Sequence, residues 1–242
     1  IHYRGAVLEL KGIPVLYLPY LAHPDTSSER RSGWLTPYGG NSGKLGLFYE
    51  QPYYMALSEH SELTLTPRLM QNVNPFSQAS YARQFHSGRL DIDGSLAYDN
   101  FFDNQGDNLS DADIFTTDSY NLDDVTLRSH IFARGKFDIS DSLMWGFGFA
   151  SASDDFYLDR YDLDDPGTDF GLYNGGSRRL TQQIFGVAQK ADYRYSASSY
   201  RFQSLRSSIR RSDSVETNIR VTGEDDETLP QVLPKVEMSH HF

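Results

Sequence analysis

The chain of 242 residues carries 22 Lys+Arg against 33 Asp+Glu, a net charge of −11 that excludes the basic surface a nucleic-acid partner requires. It has no cysteine, so no disulfide or thiolate–metal framework exists within it, and no apolar run approaches the roughly 18 residues of a membrane helix. With 16 Tyr, 15 Phe and 19 Gly beside only 4 Met, it favours strands, which leaves a soluble all-β protein or a membrane β-barrel whose apolar side recurs at every second residue.

Residues 1–31 form short alternating stretches broken by Gly12, Pro14, Pro19 and Pro24, then the polar run DTSSERRS. We read them as a unit distinct from 32–242, with the boundary near Arg31. The start at Ile1 and the lack of a signal peptide suggest a segment of something longer.

WLTPYGGNSGKLGLFYEQPYY, residues 34–54, reads as two strands joined by GGNSGK, with Leu45, Leu47, Tyr49 and Tyr53 on one side and one proline in each strand, Pro37 and Pro52. Proline cannot donate to a ladder and belongs on edges, at strand starts or at bulges. Two paired strands that each carry one predict a weak seam. On the residues alone, an ordinary edge or bulge explains both, and Pro67 in the next strand shows that proline by itself is not diagnostic.

Residues 62–70 and 89–98 alternate in the same way. In the first, Leu63, Leu65, Pro67 and Leu69 oppose Glu62, Thr64, Thr66 and Arg68; in the second, Leu90, Ile92, Leu96 and Tyr98 oppose Arg89, Asp91 and Asp93. The clearest pattern is 125–152. There Leu127, Ile131, Leu143, Trp145, Phe147 and Phe149 fall on an apolar face, and Arg128, Arg134, Lys136 and Gly146 on the other, with Ser129 and Phe132 as exceptions. In a membrane barrel the first set faces lipid, and Arg68, Arg89, Arg128, Arg134 and Lys136 face the lumen. Phe147→Arg is then expected to impair assembly far more than Gly146→Ser. Because Glu62, Asp91 and Asp93 share the basic side, polar lining explains the five cations better than a binding row for phosphorylated sugar. Residues 179–189, 192–204 and 232–242 complete about ten strands.

Long acidic connections near 100–123, 154–177 and 206–229 alternate with tight joins at 139–142 and 190–192. An up-and-down sheet puts all long loops at one end, as outer-membrane barrels do. The stretch DNFFDNQGDNLSDAD lacks EF-hand spacing and is read, like the other loops, as solvated. Ser, His and Asp residues occur without a G-x-S-x-G context, and His240 and His241 are adjacent, so they point to opposite faces of a strand. No catalytic residue, metal site or cofactor is expected.

GIPVLYLPYLAHPDTSSERRSGWLTP, residues 12–37, resembles the junction between jelly roll and barrel in the LPS-assembly family LptD, also called OstA. The likeness continues through Gln51-Pro52-Tyr53-Tyr54, Leu63 to Arg68, Gly88-Arg89-Leu90, Ser153 to Leu158 and Leu229 to Pro234. The resemblance implies an all-β fold, the edge of a periplasmic jelly roll (1–31) followed by the first strands of an antiparallel up-and-down outer-membrane β-barrel (32–242). It also implies passage of lipopolysaccharide from an LptA-type periplasmic bridge protein into the outer leaflet, an LptE-type lipoprotein plug, and outer-membrane lipid around the barrel. Pro37 and Pro52 match the family's lateral-gate prolines. Two other classes share the strand pattern: a general porin, which needs no periplasmic jelly roll, and a soluble carbohydrate-binding β-sandwich, which needs no detergent.

Overall fold

The structure, a computed structural model, describes residues 2–10, 12–22, 30–100, 126–164, 171–173, 179–205, 208–211, 219–222 and 229–240. The fold is all-β. β1 (His2–Leu10) and β2 (Ile13–Ala22) pair antiparallel as a two-stranded sheet of their own.

A 12-stranded antiparallel sheet follows. It contains β3 (Gly33–Trp34), β4 (Tyr38–Ser42), β5 (Gly46–Glu50), β6 (Tyr53–Ser58), β7 (Ser61–Met70), β8 (Phe76–Phe85) and β9 (Gly88–Asp99). Next come β10 (Thr126–Ser140) and β11 (Leu143–Ala152), the single-turn helix α1 (Tyr157–Arg160), β12 (Arg179–Lys190) and β13 (Tyr193–Ser204). β14 (Ser208–Arg211) and β15 (Ile219–Thr222) form a separate hairpin before β16 (Val232–His240) rejoins the sheet beside β13. Since β3 with β4 and β5 with β6 are two crossings, each broken once, and eight further strands cross whole, the ten expected crossings are present. Among the described residues the sheet does not close: β4 ends it on one side and β16 on the other.

Period-two alternation produces two unlike faces. On one, Leu65, Leu69, Leu96, Tyr98, Leu127, Ile131 and Ile184 stand exposed. On the other, Phe76, Ala97, Phe132, Ala150 and Leu180 are buried against Tyr157, Leu158 and Tyr161 of the segment that follows β11. The second face is therefore the inner one.

Two expectations need correction here. Leu45 does not share a face with Leu47: Gly46 takes φ +70°, which turns the chain, so Leu45 is buried in the inner cluster while Leu47 is exposed. The connection after β11 is not simply solvated, because residues 154–163 fold back onto the inner face. Of the other acidic connections, 101–125 and most of 206–228 lie outside the described residues, as do His241 and residues 23–29.

Candidate functional site: three prolines beside the open edge, and the inner wall behind them

Both breaks in the first two crossings fall at proline. Trp34 lies opposite Tyr53 and Tyr38 opposite Glu50, so three residues, Leu35 to Pro37, face only two, Gln51 and Pro52. That is a one-residue bulge on the first crossing. β7 continues unbroken past the same height, with Leu65 opposite Tyr53 and Arg68 opposite Glu50, which sets Pro67 opposite Gln51. Pro37, Pro52 and Pro67 thus line up across three neighbouring crossings.

Backbone direction decides which ladder each proline weakens. Gln51 N–H donates to the Pro67 carbonyl at 3.2 Å, so its polar groups point toward β7 and those of Glu50 and Pro52 point the other way. Leu35 N–H donating to the Pro52 carbonyl at 2.9 Å agrees. Tyr38, opposite Glu50, then turns its groups toward β5, as Leu35 turns its own toward the second crossing, so the alternation breaks once within residues 35–37. Pro37 lacks a donor within the bulge of the crossing at the open edge, Pro52 removes one from the ladder between the first two crossings, and Pro67 one from the ladder between the second and third.

Behind these strands the inner wall is polar, charged and densely bonded. Arg128 on β10 is buried and donates two bonds to Asp154, from Nη2 at 2.7 Å and Nε at 2.9 Å. Tyr157 and Tyr161 beyond it are fully buried; the Tyr161 hydroxyl donates to Asp99 at 3.2 Å, and its carbonyl accepts from Arg68 Nη1 at 2.7 Å. Burial pushes the Tyr157 hydroxyl up to about 12, so it stays protonated beside Ser95, 2.8 Å away. Lys44, in the turn joining β4 to β5, reaches Asp159 at 2.8 Å, and Arg160 Nη1 donates to the Lys44 carbonyl at 3.3 Å. Further on, Gln183 clamps the Tyr173 backbone, donating to its carbonyl at 2.7 Å and accepting from its N–H at 3.1 Å.

Sequence reasoning missed that Ser95, His130 and Asp93 meet. Ser95 Oγ contacts His130 Nδ1, and Nε2 lies 3.1 Å from Asp93. All the parts of a nucleophilic triad are there, yet Ser95 and His130 are buried and the Tyr157 hydroxyl sits on Ser95 Oγ, where an attacked carbonyl would have to go. The cluster anchors the loop. A signal in the sequence was Phe132, an aromatic among the polar positions of β10, which packs with His130 at 4.4 Å.

The five basic residues lie on the inner face in different settings. Arg128 is buried in its ion pair, and Arg68 is paired with Glu50 at 2.6 Å and lies over the Phe76 ring. Arg89 and Arg134 both reach Asp91, at 2.7 and 3.3 Å, and Lys136 is exposed. Leu127, Ile131, Leu143, Trp145 and Phe149 stand exposed on the outer face; Phe147, on the same face, is half-buried against its neighbours. Gly146 points inward, but a Cβ there would fall 2.6 Å from the Phe185 ring and 2.7 Å from the Gly135 carbonyl, so serine is not the mild change the strand pattern suggested.

Comparison with known proteins gives a consistent result. The family model described as LPS transport system D matches residues 126–241, and the one described as LptD protein matches residues 1–99. The LPS-assembly protein LptD of Chromohalobacter salexigens is 33% identical over 197 residues, covering 78% of this chain and 22% of that protein. Its namesake in Pseudoalteromonas atlantica is 37% identical over 92 residues, 37% of this chain and 12% of the relative. That of Pasteurella multocida is 42% identical over 65 residues, 27% of this chain and 8% of the relative. The chain therefore spans about a fifth or less of the length of these relatives.

Proposed function

The chain belongs to the LptD family, and from that premise we propose that it forms the first wall of an outer-membrane barrel that delivers lipopolysaccharide sideways into the outer leaflet. Residues 1–31 then belong to a periplasmic jelly roll and 32–242 to the barrel. The exposed apolar face meets lipid, and the inner face meets the lumen and a lipoprotein plug; a periplasmic bridge protein supplies the cargo. The role is transport and assembly, not catalysis.

The observation that carries this reading is Pro37 in the bulge of the crossing that borders the open edge of the sheet, with Pro52 beside it in the next crossing. A barrel opens laterally only where one ladder is weaker than its neighbours, and in lipid a missing backbone bond cannot be replaced by water. Each missing ladder bond removes about 0.5–1.5 kcal/mol.

The test is Pro37→Ala combined with Pro52→Ala in cells that depend on the full-length protein. Alanine fits a strand at little cost, so the barrel assembles, and surface lipopolysaccharide per barrel copy falls while permeability to large antibiotics rises. The double variant loses more than either single one, because one weakened crossing still allows parting. Unchanged surface lipopolysaccharide per copy in the double variant removes the gate.

A further inference from the structure

The three prolines are not left equally unmended. At Pro52 the missing donor leaves the Leu35 carbonyl facing the second crossing without its ladder partner, and the Gln51 side chain supplies one: Nε2 lies 2.9 Å from that carbonyl oxygen. The carbonyl only accepts, so the amide nitrogen must face it, which fixes the orientation of the side chain. Its Oε1 in turn accepts from the Tyr49 hydroxyl at 2.8 Å. Gln51 shares a face with Leu47 and Tyr49, the outer one, where an amide is tolerated only with its bonds made. Both ends are partnered.

We propose that Gln51 is a positioning residue that replaces the ladder donor Pro52 removes and so holds the first crossing to the second. Its consequence for export rests on the gate reading above; the bond replacement does not. A second side chain acts nearby, where Ser32 Oγ accepts from the Ala56 N–H at 2.9 Å, just before the first crossing joins the ladder. Pro37 has no such substitute among the described residues. The first crossing is thereby fastened on one side and loose on the other, which lets it part from its outer neighbour as one piece with the second.

The experiment compares Gln51→Met, Tyr49→Phe, Pro52→Ala and the double variant Gln51→Met/Pro52→Ala in the full-length protein. Methionine keeps the length and suits an apolar surface while deleting the donor. Hydrogen exchange of the peptide containing Leu35, whose N–H is bound to the Pro52 carbonyl, is expected to quicken at least tenfold in Gln51→Met and by less in Tyr49→Phe, where the amide merely loses its orienting partner. Adding Pro52→Ala restores the backbone donor and returns exchange to the parent rate. A residue needed for packing or for touching cargo is not rescued this way.

Unchanged exchange in both Gln51→Met and Tyr49→Phe, or failure of Pro52→Ala to restore protection in the double variant, overturns the proposal. Antibiotic permeability is read alongside. If exchange behaves as expected while permeability is the same in every variant, Gln51 stands as the substitute donor, and the gate reading is what fails.

Discussion

Arg128→Ala is expected to cost about 3–5 kcal/mol, since it strands a buried carboxylate that the guanidinium now holds with two bonds. Asp154 is itself buried and begins the segment that carries Tyr157 and Tyr161 onto the inner wall. Without the pair, the segment loses its anchor at β10, and Tyr161 and Arg68 lose the contact that joins it to β7. Denaturant unfolding of the full-length protein in micelles reads the stability, and protease nicking near residues 155–163 reads the release of the segment. Arg134→Ala is the comparison: its side chain is 44% exposed and its Nε lies 3.3 Å from Asp91, so its loss is within about 1 kcal/mol. Equal losses for the two would mean that the Arg128 pair is no anchor. Arg128→Leu with Asp154→Leu is expected to lose less than Arg128→Ala, because no charge is left buried alone.

Phe147→Arg is expected to cost about 2–4 kcal/mol in a bilayer, the depth-dependent penalty for a cation at the middle of a barrel's lipid face. Register places Phe147 near the middle of β11, opposite Gly135 on one side and Ile184 on the other. The penalty is compounded locally, since the Phe147 ring covers Gly135, whose added Cβ would fall 2.5 Å from it. Lys136→Gln, at an exposed inner position, is the proper control, not Gly146→Ser with its clash against Phe185. Folded yield in lipid vesicles measures both. A yield for Phe147→Arg as high as that for Lys136→Gln would reverse the two faces.

The strands were legible because their signal is local: β10 and β11 carry their two faces in their own alternation, and no distant residue is needed to read it. The proline pair was legible as a weakness for the same reason. Which ladder Pro52 weakens was not, since it depends on which way Gln51 and Glu50 turn once β5 and β7 are in register. Gln51 itself could not be found, because its partner Leu35 is defined by a bulge that only the pairing reveals. The acidic connection after β11 misled most. Its Asp residues suggested solvent, whereas Tyr157 and Tyr161, one helical turn apart, present a single aromatic face to residues 60 and more positions away. Phe132 and His130 among the inward positions were the trace of it in the sequence.

The span of those contacts sets an order of events during folding. Lys44 and Asp159 are 115 residues apart, as is the sequence distance between the first turn and the seventh crossing's loop. Closing so long a loop costs chain entropy before any contact compensates for it. The turn of the first hairpin is expected to be secured only after β10 and β11 have formed and brought α1 across the wall. The turn between the two proline-bearing crossings should therefore be among the last parts of the wall to be locked, and an intermediate stalled before α1 docks would leave it loose.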